Sequence, residues 1–471
     1  MKKITMSAVA LTAIIGSFSS ASAADGINIL SNLKLDAQIR PRYEMVDDKT
    51  LNAAGTDKKF AKANAFTVRT KLKVTGNLFD VDGLSASVGI ISVNNFGSHD
   101  YNAKDGHNYM DGTKPYAVVL DPQKAMISNA EINYKVGNTL LHAGRGQVNL
   151  DNQRFIGTVG WRQLERSYDS VFIANNSVKN LSLLAAWVYG LQGVGNVPTK
   201  AHYTLNKKTG KAEWVSATQS PIGEDTYDTN TVLLHAAYTV APALKITAYD
   251  YMIANFADIY GIALTGNVKM DALKLNYRAE YAAENDPTME IHKHGADVYN
   301  KTTGLWSSKK VDATYYNLDL GANISGILAG VNYEFQSGKS LNDTSATTKT
   351  FYSPLGTNHK FNGWADMFLT GTPDGGLIDA NARLGYKAKG FGKFLAIYHQ
   401  FTTDKNMLDS KGIQTDDLGS EIDVVYVNKI PGVKNLTGLL KYADYSKGKV
   451  AKYNHDKKLF WAQLDYKFST K

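Results

Sequence analysis

The chain has 471 residues, with 52 lysines and arginines, 44 aspartates and glutamates, and no cysteine. Without cysteine, a disulfide-stapled scaffold, a thiolate metal site and a cysteine nucleophile are all excluded. Hydrophobic residues make up 43% of the chain, too many for a disordered tail, and 27 tyrosines and 40 glycines against only 10 prolines favour strands and turns over helices.

The first residues predict export from the cytoplasm. Lys2 and Lys3 precede a short apolar stretch at 8–18, and Ala23 ends a run of small residues typical of a cleavage site. We therefore predict a signal peptide at 1–23 and a single domain at 24–471. The apolar stretch is shorter than the roughly 20 residues of a membrane-anchoring helix. Loss of the two lysines lowers the formal charge from +8 to +6, too small an excess for a nucleic-acid-binding surface.

Hydrophobic and polar residues then alternate with a period of two. The clearest segment runs from Leu33 to Met45, where odd positions are apolar and even positions carry charges or amides. Segments at 66–75, 126–136 and 273–281 follow the same scheme. A strand with this pattern has one dry face and one wet face. No segment after the signal peptide is long and apolar enough for a membrane-spanning helix.

The alternation predicts an all-β protein, a transmembrane antiparallel β-barrel. Its connections alternate between short turns and long polar loops, as expected for short periplasmic turns and long extracellular loops. A nineteenth strand at 361–369 would make the strand number odd and move later long loops to the periplasm, so we assign 361–377 to an extracellular loop folded toward the pore. The eighteen predicted strands span 33–46, 65–76, 84–95, 125–136, 138–147, 166–175, 181–191, 229–240, 243–254, 258–267, 270–283, 312–323, 326–337, 378–388, 393–402, 418–429, 434–446 and 458–468.

A soluble sandwich or propeller would also alternate. Two features favour the membrane barrel over these. Aromatic residues such as Tyr43, Phe66 and Tyr134 recur near strand ends, where an interfacial girdle is expected. Charged residues also lie in the middle of strands, where a packed core could not hold them unpaired.

The last strand carries a further signal. Residues 459–468 have apolar residues at even positions and end Tyr466-Lys467-Phe468, which resembles the C-terminal signal of outer-membrane barrels. The resemblance implies that the outer-membrane assembly machinery binds this strand. That signal normally ends on the aromatic residue, whereas three residues follow it here.

Two groups of short blocks resemble a known family. The chain looks like a Gram-negative outer-membrane porin, and more narrowly like the alginate-export-type porin family. This resemblance implies an 18-stranded barrel and passive passage of solutes, and it does not specify alginate as the solute. The matching blocks lie at 144–147, 151–163, 168–169, 360–368, 376–379 and 398–401.

The wet faces predict the pore lining. Cations outnumber anions on the best-alternating strands, and Arg40, Arg42, Arg69, Lys71 and Lys73 form one basic wall on two neighbouring strands. Fixed positive charge lowers the barrier for anions and raises it for cations. The predicted pore-lining and selectivity residues are Arg40, Arg42, Arg69, Lys71, Lys73, Arg145, Arg154, Arg162, Arg166, Arg278 and Arg383.

Two loops, 148–165 and 338–377, are predicted to constrict the pore. The first holds Arg154 and Arg162, and Arg166 follows it; guanidinium groups bind carboxylates or phosphates in bidentate fashion. The alternative is that these arginines pair with acidic neighbours and hold the loop in place. Trp161 and Trp364 fit a sugar-stacking track or, more simply, loop packing.

We therefore predict a porin of the Gram-negative outer membrane, exported by its signal peptide, for passive diffusion of small hydrophilic solutes and ions with a mild anion preference. Its predicted partners are outer-membrane lipids and small hydrophilic solutes, anionic ones included, and it is either a monomer or a homotrimer. The alternative is an outer-membrane adhesin or structural barrel without a transport role. Neither an enzyme, a cofactor nor a metal site is predicted, because the ten histidines are scattered and no Gly-x-Ser-x-Gly turn is present.

Overall fold

The computed structural model describes residues 29–50, 60–104, 109–112, 114–194, 202–205, 212–215, 226–254, 256–289, 297–300, 305–308, 310–369 and 371–470. The predicted signal peptide at 1–23 lies outside these residues. In the part of the chain that is described, no helix is long and apolar enough to cross a bilayer.

Eighteen antiparallel strands form one closed sheet, as predicted. Each strand pairs with its neighbours in the chain, and the first pairs with the last, with Tyr43 opposite Ala462. Closure leaves no unpaired sheet edge. The strands are β1 Leu30–Asp48, β2 Ala63–Leu78, β3 Leu84–Asn94, β4 Lys124–Val136, β5 Thr139–Gly146, β6 Ser167–Asn175, β7 Leu181–Gln192, β8 Thr226–Ala241, β9 Leu244–Ile253, β10 Ala257–Met270, β11 Leu273–Asn285, β12 Asp312–Ile324, β13 Ile327–Gln336, β14 Leu377–Ala388, β15 Gly392–Leu408, β16 Gln414–Lys429, β17 Leu436–Lys447 and β18 Lys457–Ser469.

Shorter elements lie in the long loops. The segment 361–369 contains no strand and follows a single 3-10 turn at Asn358–Lys360; a second 3-10 turn lies at Ala451–Tyr453. Three small hairpins that the alternation does not predict pair Met110–Asp111 with Lys114–Pro115, His202–Leu205 with Ala212–Val215, and Asp297–Asn300 with Leu305–Ser308.

The two faces of the wall differ as the period-two pattern predicts. On β1, Ile39 and Tyr43 are 45% and 37% exposed, whereas Arg40 and Arg42 between them are buried. Exposed outward residues recur around the ring, including Ile132 and Leu384. An apolar band of this extent is unusual in water and suits contact with lipid.

The two ends of the barrel also differ. At one end of the barrel, turns of a few residues connect consecutive strands, as after Ala241 and Ile324. At the other end, long loops connect the strands. We name these the short-turn end and the long-loop end. β5 and β6 are short, with 8 and 9 residues, and the loop that joins them turns into the ring.

Position 144 on β5 requires glycine, because of both its backbone conformation and its close contact with β4. Its φ is +117°, and an added Cβ would collide with the carbonyl oxygen of Ala130 on β4. We expect Gly144→Ala to destabilise the barrel by about 1–3 kcal/mol, measured as a lower temperature at which the folded band is lost in SDS electrophoresis. Gly137, with φ +56° and open space around it, supplies the control: Gly137→Asn should leave that temperature unchanged. Equal effects of the two changes would contradict this explanation.

Candidate pore interior

Two loops enter the barrel from the long-loop end. The first inward loop comprises residues 147–166, and the second comprises residues 351–369. The first reaches strands on different sides of the ring, because Arg162 lies 2.8 Å from Glu44 on β1 and Arg154 lies 2.7 Å from Glu334 on β13. A loop that contacts both strands must run through the interior.

The two inward loops bind each other through their main chains. The amide of Gly157 donates to the carbonyl of Leu355 at 2.9 Å, and the amide of Thr357 donates to the carbonyl of Gln153 at 2.9 Å. The hydroxyl of Thr357 also accepts from the amide of Val159 at 3.2 Å. They therefore form one unit.

Apolar clusters anchor this unit to the inner wall. Phe155 of the first inward loop packs against Tyr249 and Tyr315 of the wall, with ring centroids 5.3 Å away in each case. Phe368 of the second lies 4.9 Å from Phe401 and 5.3 Å from Tyr453. Burial of one such ring contributes roughly 1.5–3 kcal/mol. The core of this protein thus lies between its loops and its wall.

The predicted basic wall is assembled but covered. Arg40 donates to the carbonyl of Gly160 at 3.0 Å, and Arg42 donates to the carbonyl of Trp161. Arg69, directly opposite Arg40 on β2, is also buried. The first inward loop therefore lies over these guanidinium groups and uses them as hydrogen-bond donors.

Glu165 of the first inward loop binds the next two cations of this wall. Its carboxylate lies 2.9 Å from Arg69 and also contacts Lys71. Burial opposes ionisation of Glu165, but the charges of Arg69 and Lys71 outweigh it and hold its pKa below the usual value. Lys73 pairs instead with Glu131 of β4 at 2.6 Å.

The three predicted loop arginines have different partners. Arg154 and Arg162 are buried, with Glu334 and Glu44 as their respective acidic partners. Arg166 donates to the carbonyl of Pro354 at 3.2 Å and has no carboxylate within 4 Å among the described residues. Arg154 and Arg162 thus hold the first inward loop against the wall, and Arg166 connects it to the second.

Arg145 lies on the outer face of β5, not on the expected inner face. It is opposite Asp169 of β6 and shares its face with the exposed Leu141 and Val171. Its guanidinium forms a bidentate pair with Asp169, with both distances 2.7 Å. The residue on each side of Arg145 is a glycine, so the alternation is hard to read from sequence at this point.

The inner face keeps partly exposed polar residues elsewhere. Arg383 and Asp319 form a bidentate pair at 2.6 and 2.9 Å, with about a fifth of each side chain exposed. Arg278 lies 2.7 Å from Glu280 and also contacts Asp151 of the first inward loop. The exposed Lys360 next to them donates to the carbonyl of Asn152 at 2.9 Å. These side chains, with Lys71 and Lys73, face the interior that the loops leave open.

A buried centre around His359 was missed in the sequence. Lys441 of β17 lies 2.7 Å from its Nε2, and Asp366 lies 2.6 Å from its Nδ1. Trp161 stacks on the imidazole at a centroid distance of 3.4 Å. These partners fit a neutral imidazole that accepts from Lys441 and donates to Asp366. The only sequence signal was the position of His359 immediately before the block at 360–368.

This centre borders a cavity of about 130 Å³. Its lining includes Arg40, Arg42 and Lys441 as cations, and the buried indole N–H groups of Trp161 and Trp461 have no partner within the described chain. Donors thus outnumber acceptors around the cavity.

Carboxylates of the wall hold the second inward loop by its main chain. Glu421 accepts from the amide of Ala365 at 2.6 Å, and Asp423 accepts from the amide of Trp364 at 3.1 Å. His399 lies between Asp423 and Asp379. Its Nε2 is 3.5 Å from the Asp423 carboxylate, and its Nδ1 is 2.9 Å from the Asp379 carboxylate. The sequence block around 398–401 gave no indication of this role.

Comparisons with known proteins agree with the fold. No protein-family model and no curated protein matches the sequence. Acinetobacter baumannii OccAB4 is 14% identical with a TM-score of 0.64, over 94% of this chain and 99% of that one. Pseudomonas aeruginosa OccK8 (OprE) is 15% identical with a TM-score of 0.61, over 93% and 99%. P. aeruginosa OpdK, solved with vanillate, is 11% identical with a TM-score of 0.60, over 93% and 99%. These neighbours are outer-membrane porins, and the likeness at this identity establishes the 18-stranded barrel fold.

The pair of Arg154 and Glu334 can be tested by removing one partner or both. Arg154→Ala leaves Glu334, 2% exposed, without its cation, and should lower stability by about 3–5 kcal/mol. Arg154→Met combined with Glu334→Met removes both charges and should lower it by less. Thermal unfolding in detergent, followed by circular dichroism, measures both. A double variant as unstable as the single one would contradict the account.

The state of His359 predicts a pH dependence. Burial lowers its pKa from 6.5 to about 4, although Asp366 opposes the shift. The unfolded chain thus binds more protons between about pH 4 and 6.5, so the packing of Trp161 on His359 should weaken as the pH falls through this window. Because a protonated imidazole quenches a stacked indole, tryptophan fluorescence should titrate near pH 4, and His359→Gln should abolish the step. A midpoint near 6.5 would show that the ring is not buried.

Proposed function

We propose that the protein is a porin of the Gram-negative outer membrane, which forms a water-filled channel for passive diffusion of small hydrophilic solutes and ions. The observation that carries this proposal is the division of the closed wall into an exposed apolar outer face and a charged inner face. The apolar outer face suits contact with lipid, whereas the charged side chains of the inner face need water or oppositely charged partners. An adhesin or structural barrel would need only the outer face.

The porin neighbours support the same function. OpdK was solved with vanillate, an aromatic carboxylate. For this chain we propose only a broad class of solutes, namely small hydrophilic molecules that include anions. The narrower resemblance to alginate-export-type porins rests on the sequence blocks and remains a prediction.

A mild anion preference follows from the distribution of interior charge. Lys360 is exposed and has no carboxylate within 4 Å among the described residues, so it favours anions electrostatically. Lys71 and Lys73 also keep exposed surface, but they pair with Glu165 and Glu131. The preference is mild because the buried Arg154 and Arg162 are neutralised by Glu334 and Glu44. Constriction by the two inward loops is part of this proposal.

The proposed orientation places the short-turn end in the periplasm and the long-loop end outside the cell. We also propose that the signal peptide at 1–23 directs export and that the outer-membrane assembly machinery binds β18. Either a monomer or a homotrimer meets these requirements.

Planar-bilayer recording tests the proposal. A porin gives steady ohmic current steps, and a KCl gradient should give a reversal potential that indicates weak anion preference. The absence of current from folded protein would disprove the function, and clear cation selectivity would disprove the preference.

Lys360 is the sharpest site for testing selectivity, because it is exposed beside Arg278 and, within the described ranges, its ammonium group donates to a main-chain carbonyl and pairs with no carboxylate. Lys360→Glu should lower the anion-to-cation permeability ratio roughly twofold. Lys411→Glu makes the same charge change in an exposed turn outside the barrel and should leave the ratio unchanged. Equal shifts in the two variants would mean that overall charge, not the position of Lys360, sets the preference.

A further inference from the structure

Like charges oppose each other directly at the short-turn end of the barrel. Lys269 of β10 is the register partner of Lys274 of β11, and Lys387 of β14 is the register partner of Lys393 of β15. Side chains in such positions are neighbours, and like charges there destabilise the sheet. Two pairs of this kind at one end of the barrel, without compensating carboxylates in the described part of the chain, need an explanation.

All four lysines face the interior. Lys274 shares its face with Arg278, which contacts the first inward loop, and Lys387 shares its face with Arg383, which binds Asp319. The register places each partner on the same face. These lysines therefore face the channel and not the lipid, so a lipid headgroup cannot be their ligand.

A further lysine extends the second pair to a third strand. Lys429 of β16 faces inward on the face of Asp423, two residues beyond Val427, the register partner of Lys393. We name Lys269 and Lys274 cluster one, and Lys387, Lys393 and Lys429 cluster two.

Acidic partners do not compensate the two clusters. Among the described residues, none of these five lysines forms an ion pair with a carboxylate within 4 Å. Asp271 lies in the turn between Lys269 and Lys274, and within the described residues it forms no ion pair with either lysine. Asp319 is held by Arg383. Lys34 and Lys73, elsewhere on the inner face, differ, because Lys34 pairs with Asp36 and Lys73 pairs with Glu131.

We propose that these two lysine clusters form a binding site for small multivalent anions, with two or more phosphate or carboxylate groups, at the short-turn mouth. Neighbouring strands lie about 4.8 Å apart, so the two register partners in each cluster present flexible ammonium groups at a spacing that matches adjacent anionic groups on one small molecule. Lysine is suited to this role as a compact charge with three donors. The site rests on the proposed porin function, and it is separate from the inward loops.

The site gives the channel an electrical asymmetry. Uncompensated charge at one mouth concentrates anions there, within about 10 Å at 0.1 M salt. A multivalent anion added at the short-turn mouth should therefore bind and obstruct the current, and the same anion added at the other mouth should act more weakly. High salt should remove the difference, because the screening length falls to about 3 Å at 1 M.

Pyrophosphate is the probe, added to one chamber of a planar bilayer that contains the full barrel in KCl. Because the chain has no cysteine, Lys411→Cys and an impermeant bulky thiol reagent identify the chamber that faces the long-loop end. We expect the half-blocking concentration to be on the order of tenfold lower from the short-turn side. Equal block from both sides, or none, would overturn the site and leave the porin proposal standing, whereas absence of KCl current would remove both.

Substitutions assign the block to the clusters. Lys269→Gln with Lys274→Gln, and Lys387→Gln with Lys393→Gln, should each raise the half-blocking concentration from the short-turn side severalfold without loss of KCl current. These changes relieve repulsion, so we expect the variants to fold. The matched control is Lys310→Gln with Lys458→Gln, two exposed lysines outside the mouth that pair with Asp286 and Asp444. Unchanged block in both cluster variants, or an equal change in the control, would overturn the assignment.

Discussion

The structure depends on one constraint, that a wall within lipid must satisfy all its backbone polar groups internally. An open sheet would expose two edges, so β1 must pair with β18 across nearly the whole length of the chain. Closure fixes an inside and an outside, and strand alternation then assigns every side chain to one of them. Because the inside is enclosed, the long loops have an interior surface on which to pack.

That interior is organised by burial and charge together. Aromatic clusters around Phe155 and Phe368 supply the non-directional attraction, and the pairs of Arg154 with Glu334 and Arg162 with Glu44 fix where the inward loops lie. The arginines near the loops are largely used for this purpose. The lysines at the short-turn mouth are not, and this difference separates a structural set of cations from one that remains available to solutes.

The sequence predicts the wall much better than its contents. A period of two is a local signal, so the eighteen strands and the faces of Arg40, Lys71 and Arg278 follow from neighbouring residues alone. The alternation is unclear at Arg145, because glycines on both sides carry no side chain to mark the face. The centre formed by Trp161, His359 and Lys441 depends on contacts between three distant segments, and no spacing within the chain encodes it. The burial of Arg42 could not be predicted for the same reason, because the loop carbonyl that covers it lies 119 residues away in the chain.

The order of assembly follows from the connections of the first inward loop. Its anchors lie 118 residues before it, at Glu44, and 180 residues after it, at Glu334, so neither can hold the loop until distant strands stand beside each other. Contacts between such remote parts of a chain form late, because the entropy of closing the intervening segment is lost first. The cylinder must therefore be largely built before its interior is filled, and a nascent barrel would pass through a wide, unobstructed stage before the loops narrow it.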